Sequence, residues 1–215
     1  GNGQTPLAAL ASGLAVPTAG TLRLKGRAVG RADPRALVRD GVARVPEDRH
    51  EVGVIADMTV GENAVSERYA GPPFSRAGWL SGRTIRAYAR DLIARFRVQA
   101  PGPDAPVRLL SGGNMQKLIL ARALTGEPDL ILAHQPTRGL DVGAIAEVHR
   151  LLLEARARGA AILLISEDLD ELLALADRIG VLYRGRLSPP EPAGELDLAS
   201  LGLLMSGGSR DAHAA

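Results

Sequence analysis

Three short apolar runs constrain the fold of this chain more than anything else in it. They are Gly41 to Val45, Asp129 to Ala133 and Ala161 to Ile165. Each is short and mostly apolar, interrupted by Arg44 in the first and opened by Asp129 in the second, as a strand covered on both faces tends to be. Helical patterning separates them. Ala144 to Arg158 places Ile145, Val148, Leu152 and Ala155 on one face, and Gly159 ends it. A further helix is predicted over Asp168 to Ala176 and a strand over Arg178 to Arg184. Strands that alternate with helices imply an α/β fold with a mostly parallel sheet, helices on both faces.

Earlier in the chain, Leu7 to Leu14 reads as a helix, Thr21 to Val29 as a short strand, and Asp33-Pro34 as a helix start. From Met58 to Leu124 the character is helical, with breaks at Gly71-Pro72-Pro73 and from Ala100 to Pro106. That stretch is expected to form a separate helical lobe. Proline, glycine and serine rise from Ser188, and the last ten or so residues are expected to fray.

Composition narrows the class. The 215 residues are 46% hydrophobic and 23% charged, which suits a globular chain. The formal charge of +2 does not by itself call for nucleic acid. With no cysteine there is neither a disulfide framework nor a thiolate site. No signal peptide and no apolar run of about twenty residues is present. The expectation is a cytoplasmic chain that meets a membrane only through a partner.

The chemistry concentrates in a few short motifs. Ser111-Gly112-Gly113-Asn114-Met115-Gln116 precedes the helical run Lys117 to Leu124. Glycines leave backbone N–H groups uncovered, and the helix dipole turns its positive end toward an anion. The plainer alternative is a helix that happens to start at a glycine pair, with Ser111 as its cap. About twenty residues on comes Gln135-Pro136-Thr137-Arg138-Gly139-Leu140-Asp141. At the start of the chain, Gly3-Gln4-Thr5 matches the end of a G-x-x-x-x-G-K-[ST] phosphate loop, with Gln4 where lysine belongs. Taken alone, Gly1-Asn2-Gly3 is a glycine turn before a helix.

The pair of motifs at this spacing resembles the signature motif and D-loop of an ATP-binding cassette (ABC) ATPase. The resemblance covers nearly the whole chain. Val45-Pro46-Glu47-Asp48-Arg49 and Gln135 to Gly143 make it most similar to the second cassette of two-cassette importers of simple sugars and nucleosides. The stretches Pro73 to Leu80 and Ser166 to Leu172 lean toward the nucleoside branch.

The resemblance implies a P-loop NTPase (RecA-like) core with an inserted helical subdomain, its N-terminal strands missing. Residues 1–187 would be the ATPase domain, cut inside the P-loop. Its core would span 1–55 and 126–187 and its helical subdomain about 56–125, with 188–215 a partly disordered extension. ATP and Mg²⁺ are the implied cofactors. The implied partners are a first cassette, membrane permease subunits and, indirectly, an extracytoplasmic substrate-binding protein, at the cytoplasmic face of the plasma membrane. No nucleic acid is implied. The segment Ile55 to Asn63 would meet the permease.

Several positions depart from the family pattern. His134 and Gln135 stand where the family has Asp for Mg²⁺ and Glu as general base. Imidazole is a poor Mg²⁺ ligand, and glutamine cannot take a proton from water. A lone histidine at a strand end is more often a packed, hydrogen-bonded residue. Glu167 replaces the histidine that contacts the γ-phosphate, and Glu47 replaces the glutamine that senses the metal. An anion at those positions is expected to repel a triphosphate.

The degenerate P-loop, Gly1 to Thr5, retains Thr5 as a possible Mg²⁺ contact. Ser111, Gly112, Gly113, Asn114, Gln116 and Asp141 show no such decay. In the family they complete the partner cassette's ATP site. The expectation is therefore a domain whose own site is degenerate and whose signature serves a neighbour. Its weak or absent isolated activity would be restored within an ABC-type ATPase coupled to uptake of a nucleoside or simple sugar. The alternatives are a ribose- or galactose-type importer, a non-catalytic regulatory cassette, and a soluble ABC ATPase outside transport.

Overall fold

A computed structural model describes residues 2–29 and 33–208. In chain order the elements begin with α1 (Gln4–Ala11), β1 (Arg23–Leu24), β2 (Arg27–Ala28), α2 (Pro34–Arg39) and β3 (Val42–Val45). Then come α3 (Val60–Val65), β4 (Ser75–Arg76), β5 (Trp79–Leu80), α4 (Gly82–Arg95) and α5 (Gly112–Leu124). Next are β6 (Leu130–His134), α6 (Val142–Ala157), β7 (Ala161–Ile165) and α7 (Leu169–Leu175). The chain closes with β8 (Arg178–Ile179), β9 (Leu182–Tyr183), β10 (Arg186–Leu187), β11 (Glu191–Pro192) and α8 (Leu198–Met205).

Two compact units emerge, one from residues 35–163 and one from 1–34 with 164–215. In the first, β3 and β6 pair in parallel, Val42 opposite Leu130 and Val45 opposite Ala133. The strand order is β3-β6-β7, and of β7 only Ile165 is buried, so that strand lacks the two-sided cover expected of it. Val45, Ile131, Leu132 and Ala133 are buried in this sheet. Helix α5 covers it with Leu118, Ile119, Leu120 and Leu124, and α6 adds Val148, Leu151 and Leu152. Burying a side chain of that size contributes about 1.5–3 kcal/mol, so this layer is the main stabilising core.

The helical lobe is built on α3 and α4. Its small core joins Val65, Phe74 and Ile85, with Tyr88 edge-on to Phe74 at 4.9 Å between ring centroids. Asn63, fully buried, organises the loop before α3. Its amide oxygen accepts from the Ile55 N–H at 2.8 Å, and its NH₂ donates to the carbonyls of Ile55, Met58 and Thr59. One π-helical turn, Arg49–Gly53, leads into that loop. Gly53 is dictated by packing, since a Cβ there would lie 2.4 Å from Ile119 Cδ1.

The lobe holds a β-hairpin that helical patterning does not predict. β4 and β5 are antiparallel around Ala77-Gly78, both at positive φ (51° and 83°), the geometry of a tight type I′ connection. Without Asn-Gly or Asp-Gly at the turn, the usual signal is missing.

In the other unit the strands are all two residues long. The run Thr21 to Val29 is not one strand but a hairpin, β1 against β2, turning at Lys25-Gly26. Arg178 to Arg184 also splits, β8 pairing with β11 and β9 with β10. Ile179, Leu196 and Leu201 form a core with Leu169, Leu172 and Val181 around them. After Ser188 the chain still makes β11 and α8, the latter capped by Asp197 on the Ser200 N–H at 2.7 Å. Gly1 and the last seven residues lie outside the described residues.

Candidate functional site

Each unit holds part of the predicted site. In the unit formed by residues 1–34 and 164–215 lie Asn2 to Thr5, expected to be the remnant of a P-loop, and Glu167. Gly3 is the first residue before α1, in left-handed backbone at φ 115°, and its carbonyl accepts from the Leu7 N–H. Pro6 sits in the first turn, where its missing N–H costs no helical bond. Asn2 leans on the β9–β10 turn. Its carbonyl accepts from the Gly185 N–H at 2.8 Å, and its side-chain oxygen from the Arg184 N–H. Gln4 is half-buried and Thr5 exposed. Glu167 is exposed beside Asp168, which caps α7 by accepting from the N–H groups of Asp170 and Glu171.

The larger cluster lies in residues 35–163. Because β3 and β6 run in parallel, Glu47 and His134 leave the same end of adjacent strands, their carboxyl ends. In open α/β sheets that edge is where ligands bind. His134 is buried, with Nε2 3.5 Å from the Glu47 carboxylate. The Arg138 guanidinium pairs with the other Glu47 oxygen. Glu47 is therefore engaged from two sides by protein groups, and the bare repelling anion expected from the sequence is neutralised. Gln135 is buried in left-handed backbone at φ 50°, an uncommon conformation for a non-glycine residue.

Sequence reasoning did not single out Arg49. Its Nη1 donates to the Arg138 carbonyl at 2.6 Å, and Nη2 reaches the Gly139 carbonyl at 3.4 Å. Its guanidinium also lies against Gly112, where a Cβ would come within 3.1 Å of it. Next to it, Asp48 accepts from the His50 and Glu51 N–H groups, and those two bonds hold its carboxyl below the usual carboxylate range. Glu47, Asp48, Arg49, His50, Arg138 and Gly139 line a cleft of about 520 Å³.

The signature segment meets the same turn. Ser111 is exposed and stands before α5, yet its hydroxyl makes no capping bond to the helix. It accepts instead from the Asn114 amide at 2.9 Å, while the Asn114 oxygen accepts from the Gln99 N–H. The first-turn N–H groups of α5 have no intrahelical acceptor, and no acid lies in that turn. Gln116 is the inward-facing member, buried and donating to the Pro136 carbonyl at 2.7 Å. Gly113 packs close to α6, and a Cβ there would lie 3.2 Å from the Ala144 Cβ. Asp141 caps α6, accepting from the Ala144 N–H at 2.9 Å.

A phosphate-sized anion suits this α5 terminus, with its free N–H groups, a hydroxyl and the adjacent Arg49 cation. Among the described residues no three His, Asp or Glu side chains converge as a metal site.

Comparison with known proteins shows the family. The ABC transporter family model matches residues 1–138. The chain belongs to the ABC transporter family. The cassette is 41% identical to the nucleoside import ATP-binding protein NupA of Lactococcus lactis, over 97% of this chain and 41% of that protein. It is 40% identical to the guanosine import ATP-binding protein NupO of Bacillus subtilis, over 98% and 41%. The ribose import ATP-binding protein RbsA of Pseudomonas putida is also 40% identical, over 98% and 41%. The cassette thus spans about two fifths of the length of these relatives.

Among solved structures it superposes on the cassette MJ0796 in a post-hydrolysis state with ADP and Pi. The TM-score is 0.73 at 23% identity, over 89% of this chain and 81% of that one. A nucleotide-free ABC transporter cassette gives 0.72 at 21%, over 89% and 76%. These likenesses establish the P-loop NTPase cassette fold. No helix among the described residues is long and apolar enough to cross a membrane.

Proposed function

We propose that this chain is the second cassette of a two-cassette ATP-binding subunit and acts mainly on ATP held by its neighbour. One contrast carries the reading. The Ser111 hydroxyl, oriented by the Asn114 amide, keeps its own proton to donate, and the first-turn N–H groups of α5 have no intrahelical acceptor, whereas Glu47, at the cassette's own site, is held by Arg138 and His134. Asn114 orients Ser111, Gln116 holds the turn before the D-loop from inside, and Asp141 stands at that turn's far end.

The residues do not fit Mg²⁺ at the cassette's own site. Hard oxygen ligands are wanted, and the family's aspartate is replaced by a histidine paired to Glu47. Gln135 offers no base, and Gln4 no cation for the phosphates. Nucleotide there is bound weakly through the N–H groups around Gly3 and is not hydrolysed. Thr5 and Glu167 are passive.

The core is 1–55 with 126–187, the helical subdomain about 56–125, and 188–215 an extension. Val52, Ile55 and Met58, half exposed around the Asn63-held loop, meet the permease at the cytoplasmic face of the membrane. The transported molecule is a nucleoside or a simple sugar, delivered by an extracytoplasmic binding protein. The names of the relatives support both substrate classes.

The test joins this cassette to an intact first cassette and its permease in vesicles. Ser111→Arg should lower ATP turnover by about 10²-fold or more, as loss of a charge-stabilising donor does. Gln4→Lys should leave uptake unchanged. Turnover that survives Ser111→Arg overturns the division of roles. Uptake of labelled guanosine against labelled ribose then separates the substrate classes.

A further inference from the structure

The charge of the chain is unevenly laid out. From Arg68 to Arg97 there are seven arginines and one acid, Asp91, a net charge of +6. With the whole chain at +2, the remainder carries −4. Such asymmetry within one lobe marks a surface for a polyanionic partner.

The structure exposes much of this charge on the β4–β5 hairpin and on the outer line of the adjoining α4. The β4–β5 turn puts Arg76 directly opposite Trp79. Trp79 is 83% exposed and Leu80 56%. Ser81 then caps α4, whose Ile85, Ala89 and Leu92 face inward. Its outward line is Arg83, Ala87, Arg90 and Ala94, all exposed and spaced by helical turns. Arg86 flanks that line, 3.8 Å from Asp104. Among the described residues, no hydrogen bond or ion pair engages the side chains of Arg76, Arg83 or Arg90.

We propose that this hairpin and the outer face of α4 rest on an anionic phospholipid surface. Trp79 sits at headgroup depth, where an indole finds both apolar and polar contact. Arg76, Arg83 and Arg90 meet lipid phosphates, and the alanines between them keep the face flat. A nucleic-acid partner fits less well. It leaves Leu80 and Trp79 without use at a tip, and the ring between the α4 arginines, Tyr88, is turned into the lobe's core against Phe74 and not out for bases to stack on. The contact is to lipid itself and requires neither nucleotide nor permease, so it stands apart from the transport reading.

Trp79 is the only tryptophan, so intrinsic fluorescence of the whole chain reports on it directly. The chain is titrated at low ionic strength with vesicles of equimolar phosphatidylcholine and phosphatidylglycerol. The emission should shift to shorter wavelength and be quenched by lipids brominated on the acyl chains. Binding to pure phosphatidylcholine vesicles should be at least about tenfold weaker. Arg83→Glu with Arg90→Glu should weaken binding about thirtyfold, and the double lysine variant should retain it. Arg76→Glu, on the hairpin rather than the helix, gives the same direction independently, and thermal melting confirms that each variant is folded. An unshifted emission, equal binding to neutral vesicles, or unchanged affinity of the glutamate variants overturns the proposal. Release from the vesicles by duplex RNA at matched phosphate concentration overturns it in favour of nucleic acid.

Discussion

Glu47 shows how much a residue's meaning depends on its neighbours. As a letter in the chain it is an anion where a triphosphate is expected. In the fold it is shared between Arg138 and His134. The substituted positions Glu47 and His134 therefore act as a pair, which no single position reveals. Arg122 carries a larger energetic consequence. It is nearly buried, 3.2 Å from Glu67, and it donates to the Gly53 carbonyl and the Ser66 hydroxyl. Burial pushes its pKa down, and Glu67 works against that shift. Removing one partner of a buried pair costs far more than the pair is worth. Arg122→Ala should destabilise the chain by about 3 kcal/mol, read as a lower denaturant midpoint. A change under about 0.5 kcal/mol would mean that the group is solvated.

At the scale of elements, two segments are held by polar contacts rather than by propensity. Helix α3 begins with a capping box. The Thr59 hydroxyl accepts from the Glu62 N–H, and the Glu62 carboxylate accepts from the Thr59 N–H and hydroxyl. Those bonds lower the Glu62 pKa, the backbone one most. Its contribution to stability is therefore complete above the unfolded value of 4.5 and lost as pH falls through the lower folded value. Thr59→Ala should cost about 1 kcal/mol near neutrality in thermal melts. Glu62→Gln should flatten the stability profile below the unfolded value, and an unaltered acid limb would count against this assignment.

The second segment is the strut made by Arg49 between the signature helix and the turn at Arg138-Gly139. Arg49→Lys keeps the charge but loses the fork that reaches two carbonyls. Hydrogen exchange should then quicken together at residues 112–114 and 138–143, with β3 and β6 unchanged. Faster exchange at only one of the two segments would show that Arg49 does not couple them.

For the whole molecule, the two units differ in how they are built. One has a parallel sheet packed against α5, with α6 packed on α5, and the other has two-residue strands around a small core at Ile179, Leu196 and Leu201. Short hairpins are marginal by themselves. Native-state exchange should accordingly find the slowest amides in β3, β6 and α5, and a faster cooperative group from Ile179 to Leu201. A single exchange class across both would refute the distinction.

The alternation of strands and helices was legible in the chain because the core strands are short and mostly apolar and an amphipathic helix must repeat near 3.6 residues. The helix starts at Gly112 and Val142 were legible because their glycines and polar N-cap residues are local in sequence. Local pattern could not reveal the β4–β5 hairpin, which turns on Ala77-Gly78 at positive φ without the usual asparagine or aspartate. Nor could it reveal the pairing of Glu47 with Arg138, ninety-one residues away, or the reach of Arg49 to the same turn. Those contacts exist because parallel pairing of β3 and β6 brings two strand ends together. Sequence alone determined the alternation of strands and helices around β3, β6 and β7. Tertiary structure alone decided which charges meet, since charge pairing acts through space and leaves no periodic trace along a chain.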